Sequence, residues 1–248
     1  MQKTLLVTGS SCGIGAATAL LAAKRGYRVA VNYRTNRRAA QDIVAVIKNE
    51  GGQAMEFGVD VSVESEVLAL FAAVERKLGP INGLVNNAGT LEPQMRLDEM
   101  EVDRLLRVLQ SNLVSCFLCC REAVRRMSTK HGGAGGAIVN VSSVAARTGS
   151  PREYIDYAAS KGAVDSLTVG LAHEVAAEGV RVNGVRPGFI ATDIHTSGGE
   201  PGRIERLKPL IPMQRGGEPE EVASAILWLL SDEASYTTGN FIDIAGGR

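Results

Sequence analysis

The sequence predicts an α/β protein built on a doubly wound parallel sheet with helices on both faces. Short apolar runs rich in β-branched residues alternate with longer helical patterns along the chain, an order typical of strands joined by helical crossovers. Because these runs are largely apolar throughout, we expect strands that are covered on both faces. Seven strands are predicted, at Leu5–Thr8, Arg28–Tyr33, Ala54–Val59, Gly83–Asn86, Ala137–Ser142, Arg181–Arg186 and Phe241–Ile244.

Helical patterns fill the intervals between the strands, and several of them stop at a glycine, as helices commonly do. The connections are short, so a single domain spanning residues 1–248 is expected. The exception is the irregular segment 188–217, which is too long for a simple turn and is predicted to form a lid over a substrate. The predicted helices are Ile14–Arg25, Arg37–Asn49, Glu64–Lys77, Val102–Met127, Tyr154–Ala177 and Pro219–Leu230.

Charge and hydropathy exclude several classes of partner. The 27 basic and 27 acidic residues cancel and are scattered, so no footprint for nucleic acid or acidic lipid is present. No segment reaches the roughly 18 to 20 apolar residues that cross a bilayer, and residues 1–8 lack the features of a secretory signal. We therefore expect a cytoplasmic protein that acts on a small molecule.

The four cysteines do not form a disulfide framework. Cys12 lies in a glycine-rich loop, whereas Cys116, Cys119 and Cys120 fall in one apolar helical stretch. Their spacing could face a metal ion, but no histidine accompanies them, and free cysteine behaves as a small buried hydrophobe. Core packing is the prediction for these three residues.

A glycine-rich loop, Thr8–Gly15, separates the first predicted strand from the first predicted helix. Glycine lets the backbone turn tightly and approach a pyrophosphate, whose charge then faces the amide groups and positive end of the helix. A glycine-rich loop alone is weak support for such a site, but the strand before it and the helix after it strengthen the prediction.

Tyr157 and Lys161 are four residues apart in a predicted helix and therefore share one face. An ammonium near a phenol favours the phenolate and is expected to lower the phenol's pKa toward the range useful in acid–base catalysis. The spacing by itself is common on exposed helix surfaces, so the assignment depends on the surrounding motifs.

Those motifs together resemble the short-chain dehydrogenase/reductase family over essentially the whole chain. They are the TGxxxGIG loop at Thr8–Gly15, Asn86–Gly89 after the fourth strand, Asn112, Ser143 after the fifth strand, Tyr157–Lys161, and Pro187–Gly188 after the sixth strand. The resemblance implies a Rossmann-type fold with strand order 3-2-1-4-5-6-7. It also implies an oxidoreductase that transfers hydride between a nicotinamide and a carbonyl or secondary alcohol.

The resemblance also implies roles for the catalytic residues. Tyr157 would be the general acid or base, Ser143 would hydrogen-bond the substrate oxygen, and Lys161 would orient the ribose and begin a proton relay. Asn112 would hold the relay water through a local helix irregularity. Ser142 competes with Ser143, which is preferred because the family places its serine at that position. The loop 148–153 is one residue longer than is common in the family.

Cofactor choice depends on the end of the second strand, Val29–Asn36, where enzymes that use NAD generally carry an acidic residue for the ribose hydroxyl. No carboxylate occurs there before Asp42. Arg34 can offer a planar fork of donors to a 2′-phosphate, assisted by Asn36 or Arg37, so NADP(H) is predicted over NAD(H). The alternative for Arg34 is a solvated loop charge.

Two further residues have both a binding and a structural interpretation. Asp60, with Val61, resembles the adenine contact but could simply form a turn, and Thr192 resembles the carboxamide contact but could be a loop hydroxyl. The complete predicted cofactor set is Gly9, Ser11, Gly13, Ile14, Gly15, Tyr33, Arg34, Asp60, Val61, Asn87, Ala88, Gly89, Tyr157, Lys161, Pro187, Gly188, Ile190 and Thr192.

The substrate stays open between a 3-oxoacyl thioester on a carrier protein and a sugar or polyol. A catalytically silent NADP(H)-binding sensor or scaffold is the alternative to an enzyme. A basic patch would favour the acidic carrier protein, and Arg125, Arg126 and Lys130 could supply it, although Glu174 and Glu178 oppose it.

Specificity and assembly are the last expectations. The lid residues expected to decide specificity are His195, Glu200, Arg203 and Met213. The apolar helices Val102–Met127 and Tyr154–Ala177 correspond to a dimer contact in relatives, which implies a homotetramer.

Overall fold

A computed structural model describes residues 2–192, 194 and 198–248. Over these residues seven parallel strands form one sheet in the order β3-β2-β1-β4-β5-β6-β7, which confirms the predicted Rossmann-type, doubly wound fold. The strands are β1 Thr4–Val7, β2 Arg28–Tyr33, β3 Gln53–Gly58, β4 Ile81–Asn86, β5 Gly136–Val141, β6 Val180–Pro187 and β7 Phe241–Ile244. Each overlaps its prediction closely.

The helices follow the predicted order with three differences, one of which is a short helix at Ala145–Thr148 that was not predicted. The predicted helix over residues 102–127 is interrupted by a π-helical segment at Gln110–Val114, and the lid segment contains a short helix. The helices are α1 Gly13–Lys24, α2 Arg37–Asn49, α3 Glu64–Leu78, α4 Val102–Leu109, α5 Ser115–Met127, α6 Ala145–Thr148, α7 Ile155–Val175, α8 Arg203–Leu207 and α9 Pro219–Leu230.

Alternate strand residues supply two cores, one on each face of the sheet. Leu5 and Val7 of β1 pack with α1, α2 and α9, whereas Leu6 packs with α3, α5 and α7. This two-sided burial explains why the strands are apolar at successive positions.

Cys116, Cys119 and Cys120 lie on the buried face of α5, in the core, as predicted. Burial raises the pKa of the Cys119 thiol well above its usual range. No group of histidine, cysteine and carboxylate side chains among the described residues could hold a metal ion. Within the same residues, none of the helices combines the length and hydropathy needed to cross a membrane.

The strand order reverses beside β1, because the chain runs outward through β2 and β3 and then returns to place β4 on the other side. The loops that leave the carboxyl ends of β1 and β4 therefore diverge and open a crevice. Ligands of doubly wound sheets bind at such a point.

Candidate active site

A cavity of about 620 Å³ opens at the carboxyl ends of the strands. The loops after β1 to β6 all contribute to its wall. Among the predicted catalytic residues and the predicted cofactor set, all of which the structure describes, only Gly15 and Asn112 do not line it. The fold thus brings the glycine-rich loop and the residues around Tyr157 into one cleft. The binding roles of these residues stay predictions.

The glycine-rich loop after β1 has the backbone conformation that its glycines were expected to allow. Gly9 and Gly13 have φ angles of 60° and 53°, in the left-handed region that favours glycine. A side chain at Gly15 would lie 2.5 Å from Nδ2 of Asn87. Gly15 is therefore required for close packing against the loop after β4 and not for lining the cavity.

Thr8 and Asn32 hold this loop in place through hydrogen bonds. The sequence alone had indicated no role for their side chains. The Thr8 hydroxyl accepts the backbone N–H groups of Asn87 and Ala88, both at 3.0 Å. Asn32 Oδ1 accepts the Gly9 N–H at 3.1 Å, and its amide nitrogen donates to the Val59 carbonyl at 3.1 Å. A buried amide inside an apolar strand was the signal that could have identified Asn32, because buried polar groups need partners.

The N-terminus of α1 suits an anion. Its N-cap residue, Cys12, makes no side-chain capping hydrogen bond, and the first turn contains no acidic residue. The loop residues Ser11 and Gly13 line the cavity beside this helix end. Backbone amides and the positive helix end thus face the cleft, and this donor set fits a pyrophosphate.

Arg34 is exposed at the far end of the cavity, and its guanidinium makes no ion pair with any residue that the structure describes. Asn36 Oδ1 caps α2 by accepting the Ala39 N–H at 3.1 Å. Asp60 lines the cavity and also forms a turn, in which Oδ1 accepts the Ser62 N–H at 2.9 Å. The structural interpretation of Asp60 is therefore seen, and it leaves the adenine role open.

Tyr157 and Lys161 lie on the cavity wall on one face of α7. The Lys161 ammonium lies 5.6 Å from the centroid of the Tyr157 ring and donates to the Val141 carbonyl at 2.8 Å. The Ser143 side chain lies close enough to the Tyr157 hydroxyl to lower the pKa of the phenol, whereas the Ser142 hydroxyl donates to the Lys161 carbonyl at 3.2 Å. The geometry agrees with the preference for Ser143.

The expected lowering of the Tyr157 pKa is wrong for this structure. Burial raises the pKa of the phenol above its ordinary value, and the hydrogen bond with Ser143 offsets only part of that rise. Burial also lowers the pKa of Lys161 to about 8, although nearby Cys116 and Asp165 act in the opposite direction. The physical reason is that burial disfavours the charged phenolate, and Lys161 is not among the groups that lower this pKa.

Asn112 lies in the π-helical segment, where the resemblance implied a helix irregularity. Its side chain bonds both backbone groups of Thr90, at 2.7 and 3.0 Å, and donates to the Ser160 hydroxyl at 3.1 Å. Ser160 in turn donates to the Tyr157 carbonyl at 2.7 Å. Asn112 therefore ties the loop after β4 to α7 from behind the cavity wall.

We call the part of the cavity near Tyr157 its substrate end. Four apolar or aromatic side chains line it, namely Leu91, Tyr154, Phe189 and Leu207. Arg203 of α8 is buried against two of these rings, 4.8 Å from the centroid of Tyr154 and 5.4 Å from that of Phe189. The Arg203 guanidinium also pairs with Glu153 and Glu200.

Not all of the expected lid residues reach the cavity. Arg203 lines the cavity. Glu200 does not line it but forms an ion pair with Arg203. Met213 is 59% exposed and lies outside it. His195 lies outside the residues that the structure describes.

The sequence of this chain matches a known protein family and named relatives. The family model described as enoyl-(acyl carrier protein) reductase matches residues 9–248. The uncharacterized oxidoreductase YgfF of Escherichia coli (strain K12) is 60% identical over 243 residues, covering 98% of each chain. The chain belongs to the short-chain dehydrogenase/reductase family.

Two further short-chain dehydrogenase/reductases have more specific names. The 3-oxoacyl-[acyl-carrier-protein] reductase FabG of Staphylococcus aureus is 37% identical over 249 residues, covering 100% of this chain and 98% of that protein. The 3beta-hydroxysteroid dehydrogenase 1 of Eggerthella lenta is 39% identical over 246 residues, covering 99% and 93%. The protein is therefore an oxidoreductase of a family that uses a nicotinamide cofactor.

The basic patch suggested for a carrier protein is neutralised in this short-chain dehydrogenase/reductase. Arg125 and Arg126 both pair with Glu122, at 2.8 and 2.7 Å, and Arg126 also pairs with Glu75 at 3.0 Å. Lys130 lies 4.0 Å from Glu178. None of the three basic residues lines the cavity, so they present no uncompensated positive surface beside it.

Proposed function

We propose that the protein is an NADP(H)-dependent oxidoreductase that interconverts a carbonyl and a secondary alcohol, with Tyr157 as the general acid or base. The observation that carries this proposal is a single cleft with the glycine-rich loop and the α1 N-terminus at one end. At the other end of that cleft, Tyr157, Ser143 and Lys161 converge. A reduced dinucleotide bound there would supply the hydride.

The side chains around Tyr157 suit reduction. A phenol with a raised pKa is protonated at neutral pH and can give its proton to a carbonyl oxygen as that oxygen becomes basic. Ser143 would hydrogen-bond the same oxygen and fix its position. Lys161 has three donors, of which one is used by Val141, so two are left to orient a ribose and pass a proton. Asn112 would hold the relay water.

The cofactor assignment rests on the second strand and its neighbours. The loop containing Ser11 and Gly13 would hold the pyrophosphate, and Arg34 would pair with a 2′-phosphate that no nearby carboxylate repels. Asp60 would contact the adenine and Thr192 the carboxamide. These assignments favour NADP(H) over NAD(H).

For the substrate, we favour a small-molecule carbonyl compound with an apolar body. The apolar side chains at the substrate end, Leu91, Tyr154, Phe189 and Leu207, would exclude water from such a body. The neutralised surface around Arg125 and Arg126 weighs against a dependence on an acidic carrier protein.

We also infer a cytoplasmic homotetramer. Buried thiols at Cys116, Cys119 and Cys120 suit a reducing compartment. Exposed apolar side chains on α4 and α5, among them Leu106 and Phe117, suit a subunit interface.

The test of the reaction is a spectrophotometric assay of NADPH and NADH oxidation with a panel of carbonyl compounds. The panel contains a 3-oxoacyl thioester, a 3-oxosteroid, an apolar diketone and a ketose. We expect reduction of an apolar member, with at least about tenfold higher kcat/KM for NADPH than for NADH. Tight NADPH binding without turnover of any member would instead favour the silent sensor.

A further inference from the structure

A buried ion pair stands beside the candidate catalytic tyrosine. Arg104 of α4 and Asp156 in the first turn of α7 are joined by Nε–Oδ2 at 2.8 Å and by Nη2–Oδ1 at 3.5 Å. Their side chains are only 6% and 3% exposed. The two residues lie 52 positions apart in the chain, so the pair is a tertiary contact and not a local helix interaction.

The pair touches the segments that build the substrate end of the cavity. Asp156 Oδ1 accepts the backbone N–H of Tyr157 at 2.9 Å. Arg104 Nη1 donates to the Pro93 carbonyl at 2.6 Å. Pro93 belongs to the loop after β4 that supplies Leu91 to the cavity and Thr90 to Asn112. One ion pair therefore fastens α4, this loop and the start of α7 to one another.

The start of α7 depends on this contact. Its N-cap residue, Tyr154, makes no side-chain capping hydrogen bond, and Asp156 is the acidic residue of the first turn. A carboxylate at a helix N-terminus satisfies amide groups and interacts favourably with the helix dipole. Arg104 holds that carboxylate in place, and the next residue along the helix is Tyr157.

Stability alone does not explain why these two charges are buried here. Replacing a buried ion pair by apolar residues is often neutral or stabilising, whereas removing one partner strands a buried charge and is strongly destabilising. What apolar residues cannot reproduce is a fixed direction, here from the guanidinium to one carboxylate and one carbonyl.

We propose that Arg104 and Asp156 are positioning residues that set the Tyr157 hydroxyl relative to Ser143 and Lys161. This inference rests on the proposed function, since it concerns the geometry of the same phenol. Misplacing a reacting group by about 1 Å can cost about 100-fold in rate. Loss of the ion pair should therefore lower kcat while leaving the distant dinucleotide end of the cavity intact.

The experiment compares Arg104→Met, Asp156→Asn and the double variant in the intact protein. Turnover of the substrate found with the wild type, NADPH affinity and thermal unfolding are measured for each. In all three we expect kcat to fall about 10- to 100-fold and the NADPH Kd to stay within about twofold. The double variant should regain the thermal stability that the singles lose, because it leaves no unpaired buried charge, yet it should not regain kcat.

Arg107→Met is the matched control. It makes the same substitution one turn further along α4 and breaks the more exposed pair with Glu92, whose Nε–Oε1 distance is 2.9 Å. This variant should keep the kcat of the wild type. If the single variants do not fold, the double variant decides the question, since it has no stranded charge.

Wild-type kcat in the folded double variant would overturn the proposal, and so would an equal loss of NADPH affinity. Failure of the proposed function is a separate outcome, seen when the wild type binds NADPH but reduces nothing. In that case the crystal structure of the double variant decides the positioning role. A shift of the Tyr157 hydroxyl by about 1 Å relative to Ser143 is expected, and an unmoved hydroxyl contradicts it.

Discussion

Lys161 is a buried charge that costs stability at neutral pH and has a role in the proposed reaction. Its side chain is 4% exposed, and burial lowers its pKa from 10.5 to about 8. At neutral pH it is still mostly protonated, so it can serve the proposed relay. The fold tolerates a cation here because its ammonium donates to the Val141 carbonyl.

The stability difference between the wild type and Lys161→Met should depend on pH because of this buried charge. Between pH 8 and 10.5 the unfolded chain holds the Lys161 proton more tightly than the folded chain, so wild-type stability from this group rises with pH. Between pH about 7 and about 10, the free energy of unfolding of the wild type should therefore rise by roughly 2 to 3 kcal/mol relative to that of the variant.

Urea unfolding at both pH values measures this difference. Lys208→Met, which removes a half-exposed lysine, controls for loss of a lysine elsewhere. A gap between the wild type and Lys161→Met that does not change with pH would contradict the prediction.

Arg34→Ala tests the choice of cofactor at the level of one side chain. Loss of a charge-assisted contact to the 2′-phosphate should raise the Kd for NADPH about 10- to 100-fold and leave that for NADH within about twofold. Fluorescence titration with both dinucleotides measures this. Arg38→Ala, which removes an arginine paired with Asp42 on the same helix, should change neither. Equal losses for the two cofactors would refute the assignment.

Which single residues the sequence could predict depended on whether their role was local. The loop glycines and the pair Tyr157 and Lys161 are read from spacing, and the structure places them where spacing and resemblance indicated. The direction of the Tyr157 pKa could not be read that way, since it depends on burial by residues distant in sequence. The contact between Arg104 and Asp156 was not predicted for the same reason, since the two residues are distant in sequence.

Among the elements, the interruption between α4 and α5 shows where periodicity fails. The apolar pattern over residues 102–127 is helical throughout, so it predicts one helix, whereas the π-helical segment Gln110–Val114 changes the hydrogen-bonding step within it. Only the motif position of Asn112 indicated the irregularity. Such segments are frequent at functional sites, which agrees with the proposed relay role.

Helix α8, which lies in the segment predicted to form a lid, is held by a cluster of charged side chains. Arg203 and Arg206 both pair with Glu153 and Glu200, and Gln94 donates to Glu200 at 2.6 Å. The hydrogen bond from Arg206, more than any other contact, holds the pKa of Glu200 down at about 2. The stabilisation from this carboxylate is complete above its unfolded pKa and is lost only as pH falls toward about 2.

Glu200→Gln should loosen the lid without unfolding the protein. Loss of the charged partner of two arginines should speed hydrogen exchange in residues 198–207 about tenfold. Mass spectrometry of peptides from that range measures the change. Glu205→Gln, a change on α8 itself that breaks a 3.6 Å pair with Lys208, should have little effect. Equal exchange in both variants would mean that the cluster does not hold the lid.

For the whole molecule, an exposed apolar stripe bears on assembly. Val102, Leu106 and Leu109 lie on one side of α4 and are exposed, and Phe117 of α5 is exposed as well. The sequence correctly predicted helices and an apolar character here, but a single chain cannot show what covers the stripe. The homotetramer therefore stays a prediction.

Leu106→Glu should lower the mass of the assembly, because a carboxylate would be buried without a partner at the interface. Light scattering after gel filtration should give four times the chain mass for the wild type and a smaller multiple for the variant, with unchanged circular dichroism. Val46→Glu, at an exposed position on α2, is the control. A monomeric wild type would contradict the prediction.

If the Tyr157 phenol gives its proton to the substrate oxygen inside an NADPH-binding cleft, its hydroxyl is needed for turnover but not for cofactor binding. Tyr157→Phe removes one hydroxyl, so NADPH affinity and kcat measured on the same preparation test it most directly. We expect kcat to fall about 1,000-fold while the NADPH Kd stays within about threefold of the wild type. A folded variant that retains full turnover would contradict it.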